Sequence, residues 1–519
     1  MVAALSLALR IYNILSLPIF FDEAGYLRWA LDIADQRTRM ALVIPIVEDG
    51  KQPLFMWLAA VASGLFSDPL MAGRVVSGLA GVSSAVALYL AGYWLAGRRV
   101  GTIAGLLYAV VPFGLFYDRM ALVEAVLNAG GVWAFALSVF VACRARTDRS
   151  ALLAGAGVGA ALGAALWTKM PALFMLPFPV LCAFLLPSRG RRALVVGGFT
   201  VAAAVLAISA AILAAMPSAA RLLDKANSFA VSPQEMLSLR VGSWAANALE
   251  YWAWIQAYFP APLWMILLAA ATWGLVRRTR LALLLLGCWA DFTLPTTLVA
   301  VPKLYESRYV SQGVFPLLLL IALMMASIYR VVQATAKHLE GRRKARWISA
   351  PLVGAILFIA ALGPSLWFDL QLLNAPEDAP LPGSDRRLFV TGWTAGYGFT
   401  DALRLVKERA AELTKGGQPV IVLGDDPRGT PYAGLKIYMR GMKDVHYYVD
   451  MHLARDPEGF MAAWKSHRVP ILIVGNDGYD HLDDFERGVP QARRMGFFPK
   501  PYGLSSFRVY EVSVADLPP

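Results

Sequence analysis

Residues 193–215 read ALVVGGFTVAAAVLAISAAILAA, and no charged side chain interrupts them. Three arginines, Arg189, Arg191 and Arg192, stand immediately before this run. A helix that crosses the hydrocarbon core of a bilayer needs roughly 17 to 25 apolar residues. The run therefore predicts a membrane span whose first end is fixed on one side by cations.

Similar runs make the pattern a property of most of the chain. Of its 519 residues, 58% are hydrophobic and only 16% are charged, and the mean hydropathy is +0.53, which excludes an ordinary soluble protein. We predict a polytopic α-helical protein with about eleven spans in the lipid bilayer. The ten further candidate spans are 1–19, 72–96, 101–117, 120–142, 151–167, 171–186, 253–276, 281–300, 310–329 and 348–367.

The first candidate span contains Arg10 and lacks a cationic leading region and a small-residue cleavage site before Phe21. It is therefore predicted to stay as a helix and not to be a cleaved signal peptide. An arginine within a span is costly, so Arg10 is expected to face the bundle or to extend to a polar surface.

The formal net charge of +12 indicates the orientation of a membrane protein and not binding to nucleic acid, because the cations cluster in alternate connections. Basic groups at 98–99, 144–149, 189–192, 277–280 and 337–346 predict cytoplasmic loops. With an odd number of spans, the N-terminus is then cytoplasmic and the C-terminal region extracytoplasmic. The intervening connections are then predicted to face outward, namely 20–71, 117–120, 168–170, 216–252 and 301–309. Connection 216–252 is rich in aromatic residues and is either a lid that closes over a bound substrate or an interfacial belt.

The character of the sequence changes after Trp367, so we predict a membrane domain over 1–367 and an extracytoplasmic α/β domain over 368–519. Residues 374–383 resemble a linker. A mainly parallel sheet is predicted from alternating patterns. The predicted strands are Leu388–Trp393, Pro419–Gly424, Val445–Val449 and Val469–Val474, and the predicted helices are Thr400–Leu413, Tyr432–Arg440, Gly459–His467 and Phe485–Met495.

Cysteine and histidine usage limits metal chemistry. Cys143, Cys182 and Cys288 have neither disulfide-framework nor zinc spacing, and no histidine falls in a predicted span. A histidine-ligated metal in the bundle is excluded. A divalent metal held by carboxylates stays open.

Two adjacent carboxylates follow the first span, and Tyr26 lies one turn beyond them. Asp22 or Glu23 can remove a proton from an acceptor hydroxyl if one of them lies within hydrogen-bond reach of that oxygen. Alternatively, the pair caps an interfacial helix.

Isolated cations on the outward side break the positive-inside trend. Lys51 and Arg74 suit a phosphate, lysine as a point charge and arginine as a planar fork. The alternative is that both extend to the headgroups.

The second outward cluster contains Asp118, Arg119 and Glu124, and Lys169 follows at the next outward helix end. Glu124 should lie inside a helix and needs a partner, with Arg119, Lys169 or a metal as candidates. Asp118 and Arg119 can equally form a local ion pair.

Tyr305 and Arg308 form a third outward cluster, together with Lys303, Glu306 and Tyr309. Its aromatic residues can equally belong to an interfacial belt.

Taken in order, these motifs resemble the GT-C glycosyltransferases of the protein O-mannosyltransferase and aminoarabinose-transferase type. The matching residues are Asp22, Glu23, Tyr26, Lys51 to Leu54, Arg74, Tyr117, Arg119, Glu124, Gly155 to Lys169, Arg308 and Tyr309. The resemblance implies an inverting transfer from a polyprenyl-phosphate sugar, the donor substrate, with Asp22 as acceptor base. It implies Lys51, Arg74, Lys169 and Arg308 as phosphate or carrier contacts, and a prokaryotic plasma (inner) membrane as location.

Other functions stay open at this point. A transporter or flippase of a lipid-linked glycan also has many spans, but it usually carries repeats and ionisable groups near the bilayer midplane. An assembly subunit and a glycan polymerase or ligase are further alternatives. The acceptor, whether protein, lipid or cell-wall glycan, is not specified by the sequence.

Overall fold

The computed structural model describes residues 1–36, 40–186, 190–238, 240–340, 350–426, 428–449, 459, 464, 469–478 and 482–513. Packing of Cα atoms divides the chain into two compact units that are not contiguous in sequence. The first, here the helical unit, comprises residues 1–12, 38–57 and 74–373. The second, here the sheet unit, comprises residues 13–37, 58–73 and 374–519.

Long apolar helices make up most of the helical unit. Its helices are α1 Val2–Ile11, α3 Ile44–Asp49, α4 Leu54–Ala62, α5 Pro69–Ala96, α6 Arg98–Val110, α7 Pro112–Asp118, α8 Val123–Cys143, α9 Asp148–Leu166, α10 Phe178–Leu185, α11 Arg192–Ala214, α12 Ala220–Ser228, α13 Pro233–Leu237, α14 Val241–Tyr258, α15 Ala261–Val276, α16 Arg280–Val299, α17 Phe315–Glu340 and α18 Ala350–Asn374. The first turns of α5 and the end of α4 belong to the sheet unit.

The helices confirm a polytopic membrane fold. Within the described residues, seven helices are long and apolar enough to span a bilayer: α5, α8, α9, α11, α16, and the segments Ser311–Thr335 and Val353–Asn374. The pair α6 and α7, bent by 58°, adds an eighth if it is one span, and α1, 170–185 and α15 are shorter apolar helices. Each predicted apolar segment therefore overlaps one of these helices.

Several predicted spans in the helical unit differ from the structure. The span predicted over 253–276 begins only at Ala261, because α14 ends at Tyr258 and Pro260 precedes α15. The first helix ends at Ile11 and does not continue to residue 19, because Asn13 adopts a left-handed backbone and Pro18 follows. The single span predicted over 101–117 is broken at Pro112, which lacks the backbone donor. The last span continues past residue 367 to Asn374.

The connection 216–252, predicted as an outward loop, is largely helical, since α12, α13 and the start of α14 lie in it. Ser232 and Glu235 form a reciprocal capping box at the start of α13. Asn247 of α14 donates to the carbonyl of Thr297 at 2.8 Å, which ties this segment to the end of α16.

The sheet unit contains a five-stranded sheet with strand order β2-β1-β3-β5-β4. Its strands are β1 Val420–Gly424, β2 Val445–Val449, β3 Ile471–Asn476, β4 Ala492–Pro499 and β5 Ser506–Val512, and its helices are α2 Phe21–Gln36, α19 Gly383–Arg386, α20 Phe399–Lys415, α21 Tyr432–Tyr438 and α22 Leu482–Gly488. Strands β2, β1 and β3 are parallel, whereas β5 pairs antiparallel with both β3 and β4.

Predictions for the C-terminal region hold in part. The strands predicted around β1, β2 and β3 and the helices around α20 and α21 are confirmed. The strand predicted at Leu388–Trp393 is wrong, since Arg387–Thr391 forms a π-helix closed by a 2.7 Å bond from Gly392 N to Arg387 O. The helix predicted at Phe485–Met495 ends at Gly488 and gives way to β4. The helix predicted at Gly459–His467 lies largely outside the described residues.

Candidate functional site

Lys169 lies at the centre of a group of charges in the helical unit. It follows the C-terminal end of α9, and its Nζ donates to Glu124 Oε1 at 2.6 Å. Glu124 is in the first turn of α8 and is buried. The same ammonium lies 4.4 Å from the centroid of the Tyr309 ring, within cation–π range. Of the two cations proposed as partners of Glu124, the structure selects Lys169.

Arg308 also contacts the ring of Tyr309, its neighbour in the 3-10 turn Ser307–Tyr309. The segment after α16 winds through brief 3-10 turns, which leave Arg308 buried beside Glu306 with a 2.5 Å contact from Nε to Oε2. Its guanidinium carbon lies 5.1 Å from the Tyr309 ring centroid. Tyr305, in the same segment, is also buried and shares a 3.0 Å hydrogen bond with the Thr297 hydroxyl. Burial raises the pKa of Tyr305, so its role here is that of a neutral phenol.

Lys51 is positioned by a turn that requires glycine. Gly50 has a left-handed backbone, and a Cβ there would meet the carbonyl of Arg221. Asp49 bridges two lysines, with Lys51 Nζ 3.3 Å from Oδ2 and Lys225 Nζ 2.6 Å from Oδ1. The position of Lys51 thus depends on the end of α3 and on α12.

We call Lys51, Lys169 and Arg308 the cation cluster. Burial lowers the pKa of Lys169, the charges of Arg308 and Lys51 act in the same direction, and Glu124 opposes them. Arg308 and Lys51 are therefore each within electrostatic range of Lys169. Each is paired with a different carboxylate, so the cluster is nearly neutral in itself and can exchange a carboxylate contact for a phosphate oxygen.

A second group of predicted site residues is buried around the end of α1. Arg10 is fully buried and pairs with Asp118 through Nε at 3.0 Å and Nη2 at 2.7 Å. Arg119 donates to the carbonyls of Leu9 at 2.8 Å and Tyr12 at 2.7 Å, which caps the C-terminal end of α1. These contacts support the expectation that Arg10 faces the bundle. Asp118 and Arg119 both bind partners that are distant in sequence, whereas the alternative considered was an ion pair between these two residues.

Arg74 belongs with this second group. It is 1% exposed. Burial and the charges of Arg74 and Arg10 lower the pKa of Arg119 to about 10, whereas Asp369 raises it. Asp369, in α18, is buried, and no hydrogen bond to either carboxylate oxygen is found among the described residues. Arg74 is consequently a buried member of an arginine–aspartate group.

A small cavity of about 20 Å³ in the helical unit lies beside Asp118, the partner of Arg10, and Glu124, the partner of Lys169. Asp118, Glu124, Asn128 and Tyr117 contribute to its lining. Glu124 Oε2 and Asn128 Oδ1 are buried without a hydrogen-bond partner among the described residues. The volume suits about one water molecule, which both oxygens can bind.

The adjacent carboxylates Asp22 and Glu23 differ sharply in environment within the sheet unit. Glu23 is fully buried, and its Oε2 accepts the backbone N–H of Phe20 at 2.8 Å. That contact is the helix-capping role considered for the pair. Asp22 is partly exposed in the first turn of α2. Tyr26, one turn later, is buried, with its ring centroid 6.1 Å from that of Trp29. Asp22 is therefore the carboxylate of the two that a substrate can reach.

Helix α2, which carries Asp22, packs against residues from the C-terminal part of the same sheet unit. Phe21 N donates to Thr394 O at 3.1 Å, and the Phe21 ring lies 5.0 Å from that of Trp393. A Cβ on Gly25 would overlap the carbonyl of Arg428. Farther along α2, Asp35 pairs with Arg440. The position of Asp22 thus depends on residues nearly 400 positions away in sequence.

Lys500 joins the loop at Gly392 and Trp393 to the carboxyl end of β3. It is 2% exposed, and its Nζ donates to Trp393 O at 2.8 Å, Gly392 O at 3.1 Å and Asn476 Oδ1 at 3.1 Å. Burial lowers the pKa of Lys500 to about 7, although Asp425 and Asp477 oppose the shift. Lys500 therefore supports the loop on which Phe21 packs.

The described residues do not form a carboxylate site for a metal ion. Within the described part of the chain, no group of three or more His, Cys, Asp or Glu side chains comes together.

Sequence reasoning missed Asp49, Lys225 and Asp369. Asp49 is adjacent to the Gly50-Lys51 turn, and this adjacency was the available signal. Lys225 offered none, because it pairs across 176 positions. Asp369 lies two positions beyond the end of the last predicted span, 348–367, and the sequence therefore gives no sign that it is buried in a helix.

Comparison with known proteins finds a family match over part of the chain and solved structures of similar fold. Residues 50–216 match the dolichyl-phosphate-mannose-protein mannosyltransferase family, a segment that includes Lys51, Arg74, Glu124 and Lys169 but not Asp22 or Arg308. No curated protein sequence matches the chain significantly.

Solved structures of similar fold cover nearly the whole chain. ArnT from Cupriavidus metallidurans bound to undecaprenyl phosphate is 16% identical, covers 98% of this chain and 97% of its own, and has a TM-score of 0.55. The apo state of the same protein is 15% identical, covers 100% of this chain and 98% of its own, and has a TM-score of 0.55. The oligosaccharyltransferase AglB from Archaeoglobus fulgidus, in complex with an inhibitory peptide and a dolichol-phosphate, is 13% identical, covers 100% of this chain and 74% of its own, and has a TM-score of 0.54.

Proposed function

We propose that this chain, which has the GT-C fold of the ArnT and protein mannosyltransferase superfamily, transfers a sugar from a polyprenyl-phosphate carrier to an extracytoplasmic acceptor. We further propose that it is an inverting enzyme of the plasma (inner) membrane, with its N-terminus in the cytoplasm and its C-terminal domain outside. The acceptor is a protein, a lipid or a cell-wall glycan.

The observation that carries the proposal is the cation cluster. Lys51, Lys169 and Arg308 come from three distant segments, and two of them lie in the part that matches the mannosyltransferase family. A phosphate is a leaving group that needs charge stabilisation and little protonation, which fixed cations supply. In the proposed reaction, the cluster binds the phosphate and Tyr309 holds Lys169 and Arg308 beside it.

Asp22 is proposed as the acceptor base. The acceptor oxygen forms a bond to the anomeric carbon while the bond from that carbon to the phosphate oxygen breaks. The electron pair of the broken bond remains on the phosphate, and the acceptor proton goes to Asp22. One base suffices for such an inverting displacement, unlike the paired carboxylates of glycoside hydrolases. Glu23 is assigned a capping role because it is buried and bonded to the backbone.

The proposal is tested with purified full-length protein and a panel of radiolabelled polyprenyl-phosphate sugars. Loss of sugar from one carrier species, dependent on the protein, is expected. Binding of a donor without any turnover, together with movement of that donor across vesicles, would instead favour the transporter alternative. Failure to bind any donor by a correctly folded sample would contradict both.

A further inference from the structure

A second concave site lies wholly within the sheet unit. It is a cleft of about 540 Å³ between α2, the segment 63–69, α20 and α21. The volume falls in the range of small-molecule sites, roughly 300 to 1,000 Å³. Its lining combines apolar side chains such as Phe66 with the hydroxyls of Ser67 and Tyr438. This lining suits a ligand that has both an apolar face and hydrogen-bonding groups, such as a sugar.

The charges of the lining favour an anion. The cleft contains two cations, Lys407 and Arg440, and one carboxylate, Asp68. Asp68 is already engaged, since its Oδ1 accepts from Leu70 N at 2.8 Å at the start of α5 and lies 3.4 Å from the Tyr438 hydroxyl. Its negative charge is thus stabilised by a helix N-terminus.

The two cations remain accessible to a ligand. Lys407 Nζ lies 5.9 Å from the Tyr438 ring centroid, and no ion pair of Lys407 is found in the part of the chain that the structure describes. Arg440 pairs with Asp35, but about a third of its side chain is exposed. A guanidinium has five donors, so one carboxylate leaves several of them for a further anion.

We propose that this cleft binds an anionic saccharide, carboxylated or phosphorylated, as part of the acceptor. Lys407 and Arg440 contact the anionic group, Ser67 and Tyr438 bond to sugar hydroxyls, and Phe66 packs against an apolar ring face. The acceptor role rests on the proposed glycosyltransferase function, whereas binding itself does not.

The test is isothermal titration of the full-length protein in neutral detergent with three probes: a hexuronate trisaccharide, a hexose 6-phosphate and neutral maltotriose. At least one anionic probe is expected to bind about tenfold more tightly than maltotriose, and added salt should weaken it. The carboxylate and phosphate probes separate the two sources of negative charge. Equal affinity for anionic and neutral probes, or no binding by any probe, overturns the proposal.

Variants localise the binding. Lys407→Ala should weaken the anionic probe about tenfold, and Lys407→Arg should retain most of the affinity. Lys415→Ala is the matched control, since Lys415 is exposed at the end of the same helix. If Lys407→Ala and Lys415→Ala bind the probe equally well, the anion binds elsewhere and the cleft assignment is wrong.

Failure of the cleft and failure of the proposed function give different results. Donor turnover without anion binding rejects the cleft and leaves the enzyme. Anion binding that depends on Lys407, in a protein that consumes no lipid-linked donor, supports the cleft and rejects its role as an acceptor site.

Discussion

Lys169 Nζ lies 2.6 Å from Glu124 Oε1 and thereby joins the end of α9 to the first turn of α8. The carboxylate is buried, and the ammonium also faces Tyr309. An acid at this position in a span is costly unless it is paired. The pair therefore holds a cation close to Arg308 and Lys51, where the proposed donor phosphate binds.

Replacing Lys169 by methionine should lower both stability and donor affinity. Removal of one partner leaves the charge of Glu124 buried, which costs about 3 to 5 kcal/mol. The double variant Lys169→Met with Glu124→Gln should recover most of the thermal stability but not the donor affinity. Thermal unfolding in detergent and equilibrium donor binding provide the two readouts. Recovery of donor affinity in the double variant would show that Lys169 has only a structural role.

Gly81→Ala tests the buried arginine–aspartate pair. A Cβ at residue 81 would overlap Asp118 Oδ2 and Arg10 Nε, so the pair must separate or α5 must shift. We expect a loss of stability of about 2 kcal/mol or more, in the range for strain and broken buried pairs. Gly242→Ala is the control, because a Cβ there meets nothing within 4 Å. Similar unfolding midpoints for the two variants would contradict the described packing.

The limits of sequence reasoning at this site have physical causes. The need of Glu124 for a partner could be predicted, because the local sequence places it in an apolar segment, where an unpaired carboxylate is costly. The pairing of Arg10 with Asp118 could not, because it joins residues 108 positions apart. Asp22 and Glu23 are equivalent as a sequence pair, and only the fold buries one and exposes the other. Similarly, the sequence pattern extends the predicted helix Phe485–Met495 into the first residues of β4, because apolar and charged residues do not alternate strictly around the bulge near Arg494.

Gly25→Ala should affect catalysis through the position of Asp22. The added methyl would overlap the Arg428 carbonyl and displace the first turns of α2. A displacement of about 1 Å can cost roughly 100-fold in rate. The transfer rate should therefore fall while the donor dissociation constant stays within about twofold. Initial rates and donor binding are measured on the same preparation, and an unchanged rate would mean that this contact does not position Asp22.

Lys500 should make stability depend on pH. Its pKa is about 7 in the folded protein, below the roughly 10.4 of an unfolded lysine, so the unfolded chain binds more protons between these values. Stability should then increase with pH from about 7 to about 10, by about 1.4 kcal/mol per pH unit at most. Thermal unfolding of wild type and Lys500→Met is compared at pH 7 and pH 9. The rise should be smaller in the variant, and equal rises would contradict a shifted Lys500.

The most direct test of the account is the rate of sugar transfer by Asp22→Asn, measured beside Glu23→Gln with the donor that wild type consumes. If Asp22 is the acceptor base, Asp22→Asn should lose about 100-fold or more in rate with donor affinity unchanged. Glu23→Gln should mainly lower thermal stability, because its carboxylate accepts the Phe20 N–H. Transfer by Asp22→Asn at the wild-type rate would contradict the account.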